Sequence, residues 1–135
     1  MVTVLFICTG NAARSQMAEG LLKSMNSNLT VLSAGTKPEG LSQKAVIAMK
    51  KIGLDISDQQ SKKITNVDWK SADCAITLCG SADEECVSMA WPPHCKRIHW
   101  PIEDPNSQKD YETARDKISK KINHFLEKEI KFVED

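Results

Sequence analysis

Neither sign of charge is in excess in this chain: 18 basic residues balance 18 acidic ones. That balance argues against nucleic acid or an anionic membrane as the main partner, since both need a basic face. No apolar run approaches the ~20 residues needed to cross a bilayer, and no basic segment followed by an apolar stretch and a small-residue cleavage site opens the chain. The expectation is a cytoplasmic protein. Internal repeats, low-complexity stretches and linkers are missing too, and 135 residues suffice for one core but not for two typical ones, so residues 1–135 read as a single domain. Paired Cys-x2-Cys and His-x3-His units are absent, which disfavours a structural zinc site. The five cysteines are odd in number and lack a secretion signal. They point to catalytic, redox or metal chemistry rather than a disulfide framework.

What is present begins at Cys8. The apolar run Val2 to Ile7 ends there and is followed by Thr9, Gly10, Asn11, Ala12, Ala13, Arg14 and Ser15. A loop without bulky side chains curls so that successive backbone N–H groups face inward and bind an anion. Arg14 closes the ring with a guanidinium that donates two parallel hydrogen bonds to a tetrahedral oxyanion. Residues from 14 onward have helical period, so the loop lies at a helix N-terminus, where free N–H groups favour both a bound anion and a thiolate. Ser15 is placed to donate to the Cys8 sulfur. The loop reads as an oxyanion site with a nucleophile at its base.

Four apolar runs rich in β-branched residues, Val2 to Ile7, Leu29 to Ala34, Cys74 to Cys79 and Arg97 to Trp100, read as strands. Helical stripes lie between and after them: Met17, Ala18, Leu21, Leu22 and Met25; Ala45, Val46, Ala48, Met49 and Ile52, stopped by Gly53; and Ala114, Ile118, Ile122, Phe125 and Leu126, with Asp110 as N-cap. The alternation predicts an α/β fold, a doubly wound parallel sheet of four strands in three layers. Ligands of such sheets bind beyond the carboxyl ends of strands, where Cys8 and Cys79 fall.

Cys79 and Cys86 bracket Gly80, Ser81, Ala82, Asp83, Glu84 and Glu85. This polar stretch has little apolar period and reads as a mobile, exposed loop suited to thiol exchange. With Cys8 it supplies one nucleophile and two potential resolving thiols. A zinc site built from Cys79, Cys86, Cys95 and His99 is the competing reading. Cys74 reads as a core residue, Cys95 as a bystander at a loop or strand start, His94 and His124 as surface, and His99 as a strand residue. Asp104, held extended by Pro105 after the fourth strand, is a candidate general acid.

The segment FICTGNAARSQMAEG, the SAG after the second strand, the TLC with Cys86 downstream, and the HW and DP near residue 100 resemble the thioredoxin-coupled arsenate reductases, which share fold and loop with low-molecular-weight protein tyrosine phosphatases. The resemblance implies a flavodoxin-like, phosphatase-like fold and no bound cofactor. It further implies that Cys8 attacks arsenate, Asp104 protonates the departing water, and Cys79 and then Cys86 pass the oxidation outward as disulfides to thioredoxin. The expected protein is a monomer that detoxifies arsenic. Asn11 matches the family position that holds the loop's shape.

This chain departs from many relatives in having Ala12 and Ala13 where Ser and Cys are expected, so its loop cannot form an internal disulfide. Some members bind potassium through Asn, Ser and an acid. Asn11 and Ser33 are retained here, but Lys62 takes the acid's place, so its ammonium is expected to substitute for the cation. Two other functions are weighed: a phosphatase acting on phosphate monoesters, whose phosphotyrosine form needs aromatic walls while the chain holds a single tyrosine, Tyr111; and a zinc-binding or oxyanion-sensing module.

Overall fold

In the computed structural model, which describes residues 2–129, four parallel strands form one sheet in the order β2-β1-β3-β4. The strands are β1 (Thr3–Cys8), β2 (Thr30–Gly35), β3 (Cys74–Thr77) and β4 (Lys96–His99). β1 pairs with β2 from Thr3↔Thr30 to Cys8↔Gly35 and with β3 from Val4↔Cys74 to Ile7↔Thr77. It is therefore enclosed on both edges, and Val4 to Ile7 are fully buried, as expected of an uninterrupted apolar run in a parallel sheet.

Among the described residues four α-helices flank the sheet: α1 (Arg14–Met25), α2 (Gln43–Lys50), α3 (Gly80–Cys86) and α4 (Gln108–His124). α1 and α2 both pack on α4, and α3 lies against β1 and β3. Most of the predicted stripe residues are buried: Met17, Ala18, Leu21 and Leu22 of α1, and Ala114, Ile118 and Ile122 of α4, with Phe125 just beyond it; Met25, in the last turn of α1, is exposed instead. Phe6, Trp100 and Phe125 run through the core, with ring centroids 6.1 and 6.0 Å apart. Completely burying such side chains is worth ~1.5–3 kcal/mol each.

Several boundaries differ from the sequence reading, for identifiable reasons. β3 stops at Thr77 because its partner strands end there, so Cys79 lies beyond the sheet. α2 stops at Lys50, and Gly53 takes the left-handed φ of +81° that ends the turn, leaving Ile52 exposed. Asp110 is not the N-cap of α4. Ser107 is, and its hydroxyl accepts from the Asp110 amide while the Asp110 carboxylate accepts from the Ser107 amide, a reciprocal capping box.

The largest departure concerns the segment between Cys79 and Cys86. It is a helix rather than an exposed loop, with Cys79 as N-cap and Cys86 in its last turn, and both cysteines are buried. Its two apolar anchors, Ala82 and Cys86, sit four residues apart and face the sheet. That is too short a stripe to register as helical period among Asp83, Glu84 and Glu85.

Candidate active site

The strand order reverses between β1 and β3, and the carboxyl ends of these strands carry the reactive groups. Cys8 ends β1, and residues 9–13 curl beyond it into α1. The carbonyls of Thr9, Gly10 and Ala12 accept from the amides of Lys37, Glu39 and Ser42 at 2.8–2.9 Å, and the carbonyl of Asn11 accepts from the Gln16 side chain at 3.0 Å. With its carbonyls tied outward, the loop turns its amides toward the cavity, which is the electrostatic requirement for an oxyanion. The end of β2 has to pass very close: a Cβ on Gly35 would lie 2.6 Å from the Thr9 carbonyl oxygen and 2.8 Å from the Asn11 nitrogen. Only glycine fits there.

Asn11 holds the loop from beneath. It is buried at φ 45°, a left-handed conformation that asparagine tolerates. Its amide nitrogen donates to Ser15 Oγ at 2.7 Å and to Ser33 Oγ at 3.0 Å, and its oxygen accepts from the Lys62 amide at 2.8 Å. Because Ser15 Oγ already accepts from Asn11, its own proton is free for the Cys8 sulfur, 2.9 Å away. Ser33 in turn donates to Glu19 at 2.5 Å. A continuous chain of donors thus runs from the nucleophile to a buried carboxylate.

Glu19 was not singled out from the sequence, although it lies four residues after Ser15 and therefore on the same face of α1. Its neighbours are cationic: Lys23 Nζ at 2.5 Å and Lys62 Nζ at 3.9 Å. Burial lowers the Lys62 pKa, opposed by the charge of Glu19. Lys62 thus brings its charge to the polar network of Asn11, Ser33 and Glu19.

Arg14 is fixed by donating to the Ile102 carbonyl at 2.9 Å, and its second terminal nitrogen lies 3.5 Å from the carboxylate of Asp104. Asp104 is mostly exposed, so this pair contributes little to stability, but it places the acid at the mouth of the site. Cys8, Ala12, Ala13, Arg14, Cys79 and Asp104 line one cavity of about 430 Å³, which Tyr111 also reaches. Among the described residues, Tyr111 is the one ring in its lining. Thr9 Oγ1 contacts the Cys79 sulfur at 3.2 Å, so the second thiol belongs to the same site as the first.

Cys86 does not line that cavity. It borders a separate pocket of about 230 Å³ with Thr77, Asp83, Trp91, Arg97 and His99. Burial, reinforced by the charges of Glu85 and Asp83, pushes its thiol up to about 11, so at neutral pH it is protonated and a weak nucleophile. Cys74 is buried in β3 and Cys95 precedes β4. Among the described residues, no three of His, Cys, Asp or Glu converge as metal ligands.

A cysteine at the base of an amide-lined loop, closed by an arginine and faced by an aspartate at the end of a parallel α/β sheet, is the arrangement that attack by a thiol on a tetrahedral oxyanion requires. Residues 3–133 match the family model of low molecular weight phosphotyrosine protein phosphatase, and the chain belongs to that family. It is 41% identical over 128 residues to arsenate reductase 2 of Staphylococcus saprophyticus, covering 93% of this chain and 96% of that protein. An arsenate reductase solved in the phosphate binding state superposes with a TM-score of 0.80 at 30% identity, covering 95% of this chain and 98% of the other. A low molecular weight protein tyrosine phosphatase from T. tengcongensis gives a TM-score of 0.84, also at 30% identity, over 95% of this chain and 99% of the other.

Proposed function

We propose that this protein reduces arsenate to arsenite through three of its own thiols, with thioredoxin as the external reductant and no bound cofactor. The observation that carries this reading is the placement of Cys79 in the wall of the Cys8 cavity, which hydrolysis of a phosphate ester does not require. Relatives named arsenate reductase at 41% identity support it.

Arsenate is held by the loop amides and Arg14. Cys8 attacks arsenic as the thiolate, and one arsenate oxygen leaves as water after accepting a proton from Asp104. Cys79 then attacks the Cys8 sulfur. The S–As bond breaks, its electron pair stays on arsenic, and arsenite departs while the Cys8–Cys79 disulfide holds the two oxidised thiols. Cys86 next displaces Cys8 from Cys79, and thioredoxin reduces the resulting Cys79–Cys86 disulfide.

The last exchange demands a change of shape. Seven residues along a helix separate Cα atoms by roughly 10 Å at 1.5 Å per residue, whereas a disulfide spans about 4.4–6.8 Å. α3 therefore has to unwind for Cys86 to reach Cys79. Unwinding also releases Cys86 from the burial that keeps it protonated, so the outer thiol becomes nucleophilic only when it is in reach.

The phosphatase reading is the second one, favoured by Tyr111 at the cavity and by the phosphatase relative. Arsenate-dependent NADPH oxidation with thioredoxin and thioredoxin reductase tests the assignment, with wild type beside Cys86→Ala. Turnover that is lost in the variant establishes relay and donor together. No turnover by wild type, with aryl phosphate still hydrolysed, makes the protein a phosphatase.

A further inference from the structure

Asp83 sits midway along α3 and is the helix's polar tie to the sheet. Thr77, the last residue of β3 and 5% exposed, donates its hydroxyl to Asp83 Oδ1 at 2.9 Å. The Thr77 hydroxyl oxygen itself lies 2.9 Å from Nδ1 of His99, the last residue of β4. A hydroxyl has one proton, and a carboxylate takes it, so Thr77 must accept from His99, whose proton therefore resides on Nδ1. His99 Nδ1 and Asp83 Oδ1 are themselves 4.0 Å apart. Three side chains from β3, α3 and β4 thus meet at one buried oxygen, next to Cys86 in the same pocket. None of them lines the Cys8 cavity.

We propose that Thr77, Asp83 and His99 form a latch that holds α3 helical, and that opening this latch sets the rate at which the disulfide moves from Cys8–Cys79 to Cys79–Cys86. The inference rests on the relay reading of the preceding section. In the gated step the Cys86 thiolate bonds to the Cys79 sulfur, the Cys8–Cys79 bond breaks, and Cys8 leaves as thiolate. The proton of Cys86 passes to solvent, and the net oxidation state is unchanged.

The latch explains two features that the relay leaves unaccounted for. α3 has seven residues, too few for stability from helix formation alone, and it exposes Glu84 and Glu85 to solvent while Val87 beyond it is 64% exposed. Packing by Ala82 and Cys86 is slight, so the hydrogen bonds through Thr77 are a substantial part of what holds it. The geometry also provides a reporter, because the Trp91 indole donates to the Cys86 carbonyl at 2.9 Å and stacks edge-on against Trp69 at 5.0 Å. Unwinding of α3 breaks that hydrogen bond.

Thr77→Val removes the hub hydroxyl at constant shape and leaves every charge in place, and Thr77→Ser restores the hydroxyl. After one equivalent of arsenate without reductant, quenched samples are mapped by mass spectrometry for the two disulfides while tryptophan emission is followed in parallel. The Cys8–Cys79 bond should form at the wild-type rate in T77V, and its conversion to Cys79–Cys86 should be roughly three- to tenfold faster, the effect of losing one net hydrogen bond. T77S should return to the wild-type rate. Amide hydrogen exchange should rise over residues 80–86 in T77V and not in α1. His99→Leu, which leaves the Thr77–Asp83 bond in place but removes its support, should give a smaller acceleration than T77V, whereas His99→Asn, which can place an N–H near the position of Nδ1, should behave as wild type. Equal conversion rates in wild type and T77V overturn the latch. If wild type never forms the Cys79–Cys86 bond, it is the relay that fails, and faster exchange over 80–86 in T77V still establishes the clamp on α3.

Discussion

Thr9 Oγ1 and the sulfur of Cys79 lie 3.2 Å apart, joining the first residue of the oxyanion loop to a thiol 70 positions later. The contact makes one site of two strand ends. In the proposed relay Cys79 shares the cavity of Cys8 from the start, while Cys86, in the last turn of α3 and bordering a different pocket, can act only after a rearrangement. The order proposed for the relay follows that difference in access.

Cys8→Ser should abolish both arsenate reduction and aryl phosphate hydrolysis, a loss of at least about 10³-fold, since a nucleophile is removed rather than weakened. Steady-state assays of the two activities on one preparation check this. Residual hydrolysis near the wild-type rate would place the nucleophile elsewhere.

Cys86→Ser should leave aryl phosphate hydrolysis within about twofold of wild type and stop thioredoxin-supported turnover after one cycle, because Cys86 borders a different pocket from the oxyanion loop. Single-turnover arsenite release should persist, with a Cys8–Cys79 disulfide left behind. Normal multiple turnover by this variant would remove Cys86 from the relay.

Stability should fall as pH rises above about 9. The folded state raises the Cys86 pKa to about 11, compared with ~8.5 in an unfolded chain. Folded protein thus holds that proton more tightly, and the contribution is fully present below about pH 8.5 and lost as pH passes through 11. Urea unfolding of Cys86→Ala at pH 8 and pH 10.5 should show a drop smaller than that of wild type by about 1–3 kcal/mol. An identical pH dependence in both proteins would show that burial of this thiol does not perturb it.

Potassium should not be needed. Lys62 Nζ lies 3.9 Å from Glu19 and also donates to the Gln60 carbonyl, so a fixed ammonium already faces the buried carboxylate. Arsenate reduction in potassium and sodium buffers of equal ionic strength should agree within about 1.5-fold, and Lys62→Ala should lower stability by ~1 kcal/mol. A several-fold advantage for potassium in wild type would contradict the substitution.

Asn11→Ala should be the most damaging change in the loop after Cys8 and Arg14. It strips hydrogen bonds from Ser15, Ser33 and the Lys62 amide and puts a less tolerant residue at φ 45°. We expect a loss of ~2–4 kcal/mol in unfolding free energy and weaker oxyanion inhibition, measured by phosphate competition.

The amino-acid sequence by itself determined the loop from Cys8 to Ser15, the four strands, most of the helix faces and the family, because these are local. A strand announces itself by an apolar run, a helix by its period, and the loop by small residues at fixed spacing. Glu19 was legible in principle, one helical turn from Ser15, and the capping box at Ser107 and Asp110 was misassigned by only three positions. Tertiary structure alone decided the rest. A polar seven-residue segment carries no usable period, so only tertiary contacts, its packing against β1 and β3 and the Thr77–Asp83 bond, make α3 a helix and hide Cys86. The approach of Tyr111 to the cavity, the carbonyl ties from residues 37–42, and the meeting of Thr77, Asp83 and His99 all join residues distant in sequence or on different elements. Such meetings arise from how strands are ordered in the sheet, and no local pattern of residues encodes that order.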